Sequence, residues 1–231
     1  MSARGKGSRR GRRRRNEPDI PTQDRNKRQR RSFDNDNSAE DRDVWLMGDS
    51  IPYWAGVRAQ ARGMPNLKLP EGHTIAWWGI RGMGWSDFIH CIQLPVLFRS
   101  APKVLVFHLG GNDVKTHTLR YIFKLIQESL EYTQGAFPDS VYVWVDILQR
   151  LNWGCTDEQE QKAVEKKRKR INQFGHKIIK KVSPTKSHVL RMDIDAQTPG
   201  FFRGDGVHLS DVGLEMYLDS LHDMLVNIFK L

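Results

Sequence analysis

The sequence predicts an α/β fold built on a parallel, doubly wound sheet, and three observations carry that expectation. Five short apolar runs of strand length alternate with segments of helical periodicity. The clearest runs, at Val44–Met47 and Lys103–Leu109, are nearly continuous in apolar side chains rather than alternating, the pattern of strands buried on both faces. Each of the first three runs stops at glycine, and parallel neighbours need crossover connections, which the intervening helices supply.

The elements follow in order. Val44 to Met47 is read as the first strand, ending at Gly48-Asp49-Ser50; Ile51, Trp54, Val57 and Ala61 then recur at helical spacing until Gly63 and Pro65 close the segment. His73 to Trp78 is the second strand and leads into Gly79-Ile80-Arg81-Gly82-Met83-Gly84. Ser86 is read as the cap of a short helix through Leu94, ended by Pro95. The third strand, Lys103 to Leu109, runs into Gly110-Gly111-Asn112-Asp113, and Leu119, Ile122, Phe123, Ile126 and Leu130 form a helical stripe. Val141 to Leu148 is the fourth strand. Glu158 to Val182 is a long helix, acidic early and basic late in agreement with its macrodipole. Val189 to Met192 is a short fifth strand, and Ser210 to Phe229 the closing helix.

Charge divides the chain in two. Residues 1 to 31 hold thirteen Arg and Lys against three acids, and the remainder holds twenty-four of each sign, so the net charge of +10 sits in the first segment. Residues 1–43 have no hydrophobic periodicity and are expected to form a disordered Arg-rich tail ahead of a domain at 44–231. The tail's two basic clusters, Arg9 to Arg15 and Lys27 to Arg31, suit nuclear import, nucleic acid or a weak polyanion contact through residues 1–31 equally well. A third basic run, Lys166 to Arg170, lies in the long helix, where Val164, Ile171, Phe174, Ile178 and Val182 supply the buried stripe and the cations read as its solvated face. Cys91 and Cys155 give neither a disulfide framework nor metal-ligand spacing. With no signal peptide and no apolar run of membrane-spanning length, the expectation is a soluble intracellular protein, cytoplasmic or nuclear.

Four features fall at strand ends or in loops: Ser50, Gly82, Asn112 and the stretch Asp205-Gly206-Val207-His208. A parallel sheet puts the first three on one edge, where α/β proteins keep their chemistry. A serine hydroxyl becomes a nucleophile when a base takes its proton, an imidazole can be that base near neutral pH, and a carboxylate on the other ring nitrogen fixes the tautomer. The Asn112 amide and the backbone N–H groups of Gly82 and Ser50 are candidate oxyanion donors. Asp193 and Asp195 are rival acids, but they lie well upstream of His208. Asp49 and Asp113 read as loop-bracing groups. Of the tryptophans near the loops, Trp85 is the first candidate for a substrate-pocket wall because it follows the oxyanion glycine.

Gly48-Asp49-Ser50-Ile51, Gly79-Ile80-Arg81-Gly82, Gly110-Gly111-Asn112-Asp113 and Asp205-Gly206-Val207-His208 resemble the four sequence blocks of the SGNH (GDSL-type) hydrolases, in that family's order. The resemblance covers residues 44 to about 229. It implies a flavodoxin-like α/β/α three-layer sandwich with a five-stranded parallel sheet, and an esterase, thioesterase, lipase or deacetylase that works without metal or cofactor. By position, Ser50 would be the nucleophile forming an acyl-enzyme, His208 the base, Asp205 its orienter, and Gly82 and Asn112 oxyanion donors. Ile51 stands where the family usually has leucine, and Met83-Gly84-Trp85 replaces the small polar residues that often follow the second-block glycine, which bears on pocket shape. A basic tail joined to such a domain is also similar to accessory domains of some vertebrate retrotransposons of the tyrosine-recombinase type. The sequence therefore supports two readings: a serine hydrolase of carboxylic esters, and a nucleic-acid-associated accessory protein that uses the fold as a binding scaffold.

Overall fold

In the computed structural model, residues 41–230 are described. The predicted tail lies outside the described residues except for its last three. Of these, Asp41 accepts hydrogen bonds from the Ser100 backbone N–H and hydroxyl, and Asp43 accepts from the Thr74 N–H at 2.9 Å, so positions assigned to the tail by composition are bonded to the domain.

Five parallel strands, β1 (Val44–Gly48), β2 (Ile75–Gly79), β3 (Val104–His108), β4 (Val141–Val145) and β5 (Ser187–Leu190), pair in the order β2-β1-β3-β4-β5. Val44 is in register with Ile75 on one side and Val104 on the other, and β1 and β3 are buried along their whole length. This is the expected fold: a three-layer α/β/α sandwich with a five-stranded parallel sheet. Alternate residues of one strand face opposite layers. Val44 and Leu46 join the core under α1 (Ser50–Ala61) and α6 (Asp211–Phe229). Trp45 and Met47 join the other core, under α2 (Trp85–Phe98), α4 (Leu119–Ala136) and α5 (Glu158–Val182). The chain reverses its direction of travel across the sheet between β1 and β3, and an open α/β sheet binds its ligands outside the carboxyl ends of its strands at such a point.

Two local expectations need correction. Helix α2 starts at Trp85, with Gly84 in the N-cap position and its N–H donating to Asp87 at 3.3 Å, so Ser86 lies inside the first turn instead of capping it. Nor does Pro95 end the helix, which continues to Phe98 with the Arg99 N–H donating to the Pro95 carbonyl. A proline this close to a C-terminus removes one ladder bond, to the Cys91 carbonyl, while few bonds remain to be disturbed, and the ring itself is buried. The short helix α3 (Asp113–Thr116) was not foreseen, and β5 begins at Ser187.

Candidate active site

Three strand ends and one loop build the site. At the end of β1, Asp49 is the N-cap of α1: its carboxylate accepts the Ile51 N–H at 3.2 Å, which leaves Ser50 as the first helical residue, 6% exposed. The Ile80 N–H donates to the Gly48 carbonyl at 2.9 Å, fastening the loop after β2 to the end of β1. Gly82 in that loop has φ +76°, a conformation that only glycine takes without strain. Asn112, after β3, donates its side-chain amide to the Met83 carbonyl at 3.0 Å and so links the loops that carry the two expected oxyanion donors.

The fourth part is a narrow hairpin. Phe202 pairs antiparallel with Leu209, the Arg203 N–H donates to the His208 carbonyl at 2.8 Å, and between them Asp205 organises the turn. One of its oxygens accepts the backbone N–H groups of Val207 (2.8 Å) and His208 (2.9 Å), and the other accepts His208 Nδ1 at 2.7 Å. Burial opposes ionisation of Asp205, but the His208 side chain and these two backbone donors outweigh it and pull the carboxyl down to about 2. An ionised carboxylate only accepts, so Nδ1 carries a proton, and in the neutral ring it is Nε2 that has the lone pair a base needs. Of the rival acids, Asp195 is committed to the Gln197 N–H and the Thr198 hydroxyl.

Among the described residues no hydrogen bond joins Ser50 to His208. His208 acts electrostatically on the carboxylate of Asp49, the neighbour of Ser50, without bonding it. Hydrogen bonds of this kind often close only when substrate is bound.

Asp49 and Asp113 brace the site. Full burial pushes the Asp49 carboxyl up, against the pull of Arg150 and the Ile51 N–H. Asp113, 1% exposed, accepts the Trp85 N–H through both oxygens, at 3.2 and 3.3 Å. Burial raises its carboxyl to about 6, against the opposing effects of the Trp85 N–H and His117. The native state therefore holds this proton more tightly than the unfolded chain, and the stability it confers is full below about pH 4 and lost as pH rises through 6. Asp113→Asn keeps an acceptor for Trp85 and cannot ionise, so urea unfolding should show the variant gaining on the wild type between pH 4 and 8, by about 3 kcal/mol at most. A difference that does not vary with pH would contradict this.

Trp85 is not a pocket wall. It is 1% exposed and stacked on Trp144 at 5.8 Å, with its indole edge against Gly110, which makes it a core residue beneath the site. Trp54, one turn after Ser50, is the tryptophan at the rim, and the guanidinium groups of Arg203 (4.7 Å) and Arg81 (5.6 Å) lie over its ring.

Sequence reasoning missed Arg150 altogether. This arginine, in the loop after β4, is 9% exposed and packs on Trp153 at 4.9 Å. It fills the space that a side chain on Gly111 would need, where an added Cβ would lie 2.4 Å from Nη2. A lone arginine past an apolar run carries no pattern. The one available signal was its place beyond the carboxyl end of a central strand.

No family model matches this chain, and no curated protein matches it. Solved structures do. A protein from Streptococcus pneumonia named for platelet activating factor matches at TM-score 0.63 and 19% identity, over 82% of this chain and 86% of that one. A GDSL-like lipase from Bacteroides thetaiotaomicron matches at 0.54 and 17%, over 79% and 86%. A psychrotrophic esterase from Pseudoalteromonas matches at 0.55 and 13%, over 81% and 98%. The chain shares its α/β/α fold with these proteins, the lipase and the esterase among them.

Proposed function

We propose that the protein is a serine hydrolase of carboxylic esters, acting through an acyl-enzyme on Ser50. The observation that carries this reading is the Asp205–His208 hydrogen bond, in a protein whose β1 delivers Ser50 at the start of α1. In the first half-reaction His208 Nε2 takes the hydroxyl proton as Ser50 Oγ attacks the ester carbonyl. The negative oxygen is received by the Asn112 amide and the N–H groups of Gly82 and Ser50, and the departing alkoxide takes the proton back from His208. In the second, water attacks the acyl group with His208 again as base, and the carboxylic acid leaves. The test is to incubate the full chain with a fluorophosphonate probe, locate the label by peptide mass spectrometry and assay short-chain p-nitrophenyl esters. A label on Ser50 together with ester turnover is expected; a folded protein showing neither would overturn the reading.

A second reading, a nucleic-acid-associated accessory role, has the exposed cations of α5 in its favour. Lys162, Lys166, Lys169, Arg170, Lys177 and Lys180 are exposed along this helix, and Lys166, Lys167 and Arg170 line a cleft of about 390 Å³ against Leu119. Binding of this sort is carried by phosphate neutralisation, so affinity for single-stranded RNA should fall steeply between about 50 and 200 mM salt. Lys166→Glu with Arg170→Glu should weaken it further. Affinity unchanged by that double substitution would leave the cations as a solvated face.

A further inference from the structure

Three arginines surround the candidate site, and the innermost is the least accounted for. Arg150 is nine-tenths buried, and among the described residues its guanidinium makes no hydrogen bond and no ion pair within 4 Å; it packs on the face of Trp153, which offers no acceptor to the five N–H donors. Unlike the indole nitrogens of Trp85 and Trp144, its nitrogens are not sealed from solvent, so donors that meet no protein acceptor stay open to a ligand.

Its surroundings fix where it points. Nη2 lies over Gly111, the residue before Asn112, and Asp49 Oδ2 approaches the same spot from the β1 end, 3.2 Å from where a Gly111 Cβ would be. The charged and titratable groups that face it are Asp49 from the β1–α1 junction, Asp205 from the hairpin and His108 from the end of β3. Asp205 holds His208 and His108 Nδ1 bonds the Tyr217 hydroxyl at 3.0 Å, while Asp49 caps α1 through Oδ1 and leaves Oδ2 as the nearest counter-charge. The guanidinium thus lies among the ends of the first, third and fourth blocks with its donors uncommitted.

We infer that Arg150 receives an anionic group of the substrate, a carboxylate or a phosphate borne close to the scissile ester. The inference rests on the ester-hydrolase reading for the reaction but not for the binding. Arg81 and Arg203, stacked over Trp54 at the rim, add positive charge outside the carboxylates of Asp49 and Asp205, which favours the approach of an anion. A neutral acyl ester gains nothing from this arrangement.

Two measurements on the full chain test it. The first compares kcat/KM for mono-(4-nitrophenyl) glutarate, an anionic ester, with that for 4-nitrophenyl butyrate, its neutral counterpart. The wild type should favour the anionic ester by about 10- to 100-fold, chiefly through KM, as a charged hydrogen bond would give. Arg150→Met should lose that preference, and Arg150→Lys should keep part of it. The second is calorimetric binding of glutarate and of propyl phosphate to Ser50→Ala, with and without Arg150→Met, which needs no turnover and shows which anion fits. Anion binding that depends on Arg150 in a protein with no esterase activity would uphold the inference and defeat the hydrolase reading. Equal use of both esters by the wild type, with no Arg150-dependent anion binding, would overturn it and leave Arg150 as a counter-charge for buried Asp49.

Discussion

Ser50→Ala and His208→Ala are each expected to lower kcat for p-nitrophenyl acetate by about 10⁴- to 10⁶-fold, and the double variant should fall no further. The lack of additivity is the informative part. If His208 Nε2 takes the proton from Ser50 Oγ, the two groups make one device, and removing either removes it. Asp205 is a graded test of the same device. Its carboxylate accepts from His208 Nδ1 and from the backbone N–H groups of Val207 and His208, so it sets the imidazole tautomer and the shape of the hairpin together. Asp205→Asn should cost about 10⁴-fold, because an amide can hold the turn while presenting the wrong partner to Nδ1. Asp205→Ala should cost as much and also lower the melting temperature. Ser50→Ala retaining wild-type turnover would remove the mechanism, and penalties for Ser50→Ala and His208→Ala that multiply would mean that the residues act separately.

The parallel sheet was legible because burial on both faces leaves a mark in composition: β1 and β3 are apolar at nearly every position, and each ends where glycine lets the chain turn. Helix α5 was legible for a different reason, its stripe of Val164, Ile171 and Ile178 recurring at helical spacing. The end of α2 was not. A proline ordinarily stops a helix, and only its position in the last turns and its burial against the core made Pro95 tolerable. At the site, the pairing of Asp205 with His208 was readable from the fourth block and from a spacing that lets both reach one crevice, and the two are hydrogen-bonded. The roles of Trp85 and Arg150 were not readable. Position three residues after Gly82 said nothing of which way the Trp85 ring would turn, and it turned toward Trp144 and the core. Arg150 reaches Gly111 across the sheet edge, thirty-nine residues away in sequence, and no local pattern encodes such a contact.

Asn112→Ala should lower kcat by about 10² to 10³, a loss of about 2.7 to 4 kcal/mol of transition-state stabilisation, with KM little changed. The argument begins with the side-chain amide, which has two N–H donors. One is committed to the Met83 carbonyl at 3.0 Å, and that bond holds the amide in place while tying the loop after β3 to the loop that contains Gly82. The second donor is then free to meet an oxygen that becomes negative only as the tetrahedral intermediate forms, so its loss should appear in kcat. The rate of fluorophosphonate labelling should fall in parallel, since the phosphoryl oxygen needs the same donors. A bracing role alone gives another pattern: a lower melting temperature, and a loss shared between kcat and KM as the Gly82 loop drifts. Asn112→Asp separates the two further. It removes both N–H donors and places a carboxylate beside Asp113 and near buried Asp49, where added negative charge opposes the developing oxyanion, so it should be the slower of the two variants. If Asn112→Ala turns over esters at the wild-type rate, the oxyanion is held by the backbone N–H groups of Gly82 and Ser50 alone, and the bond to Met83 is the whole of what Asn112 contributes.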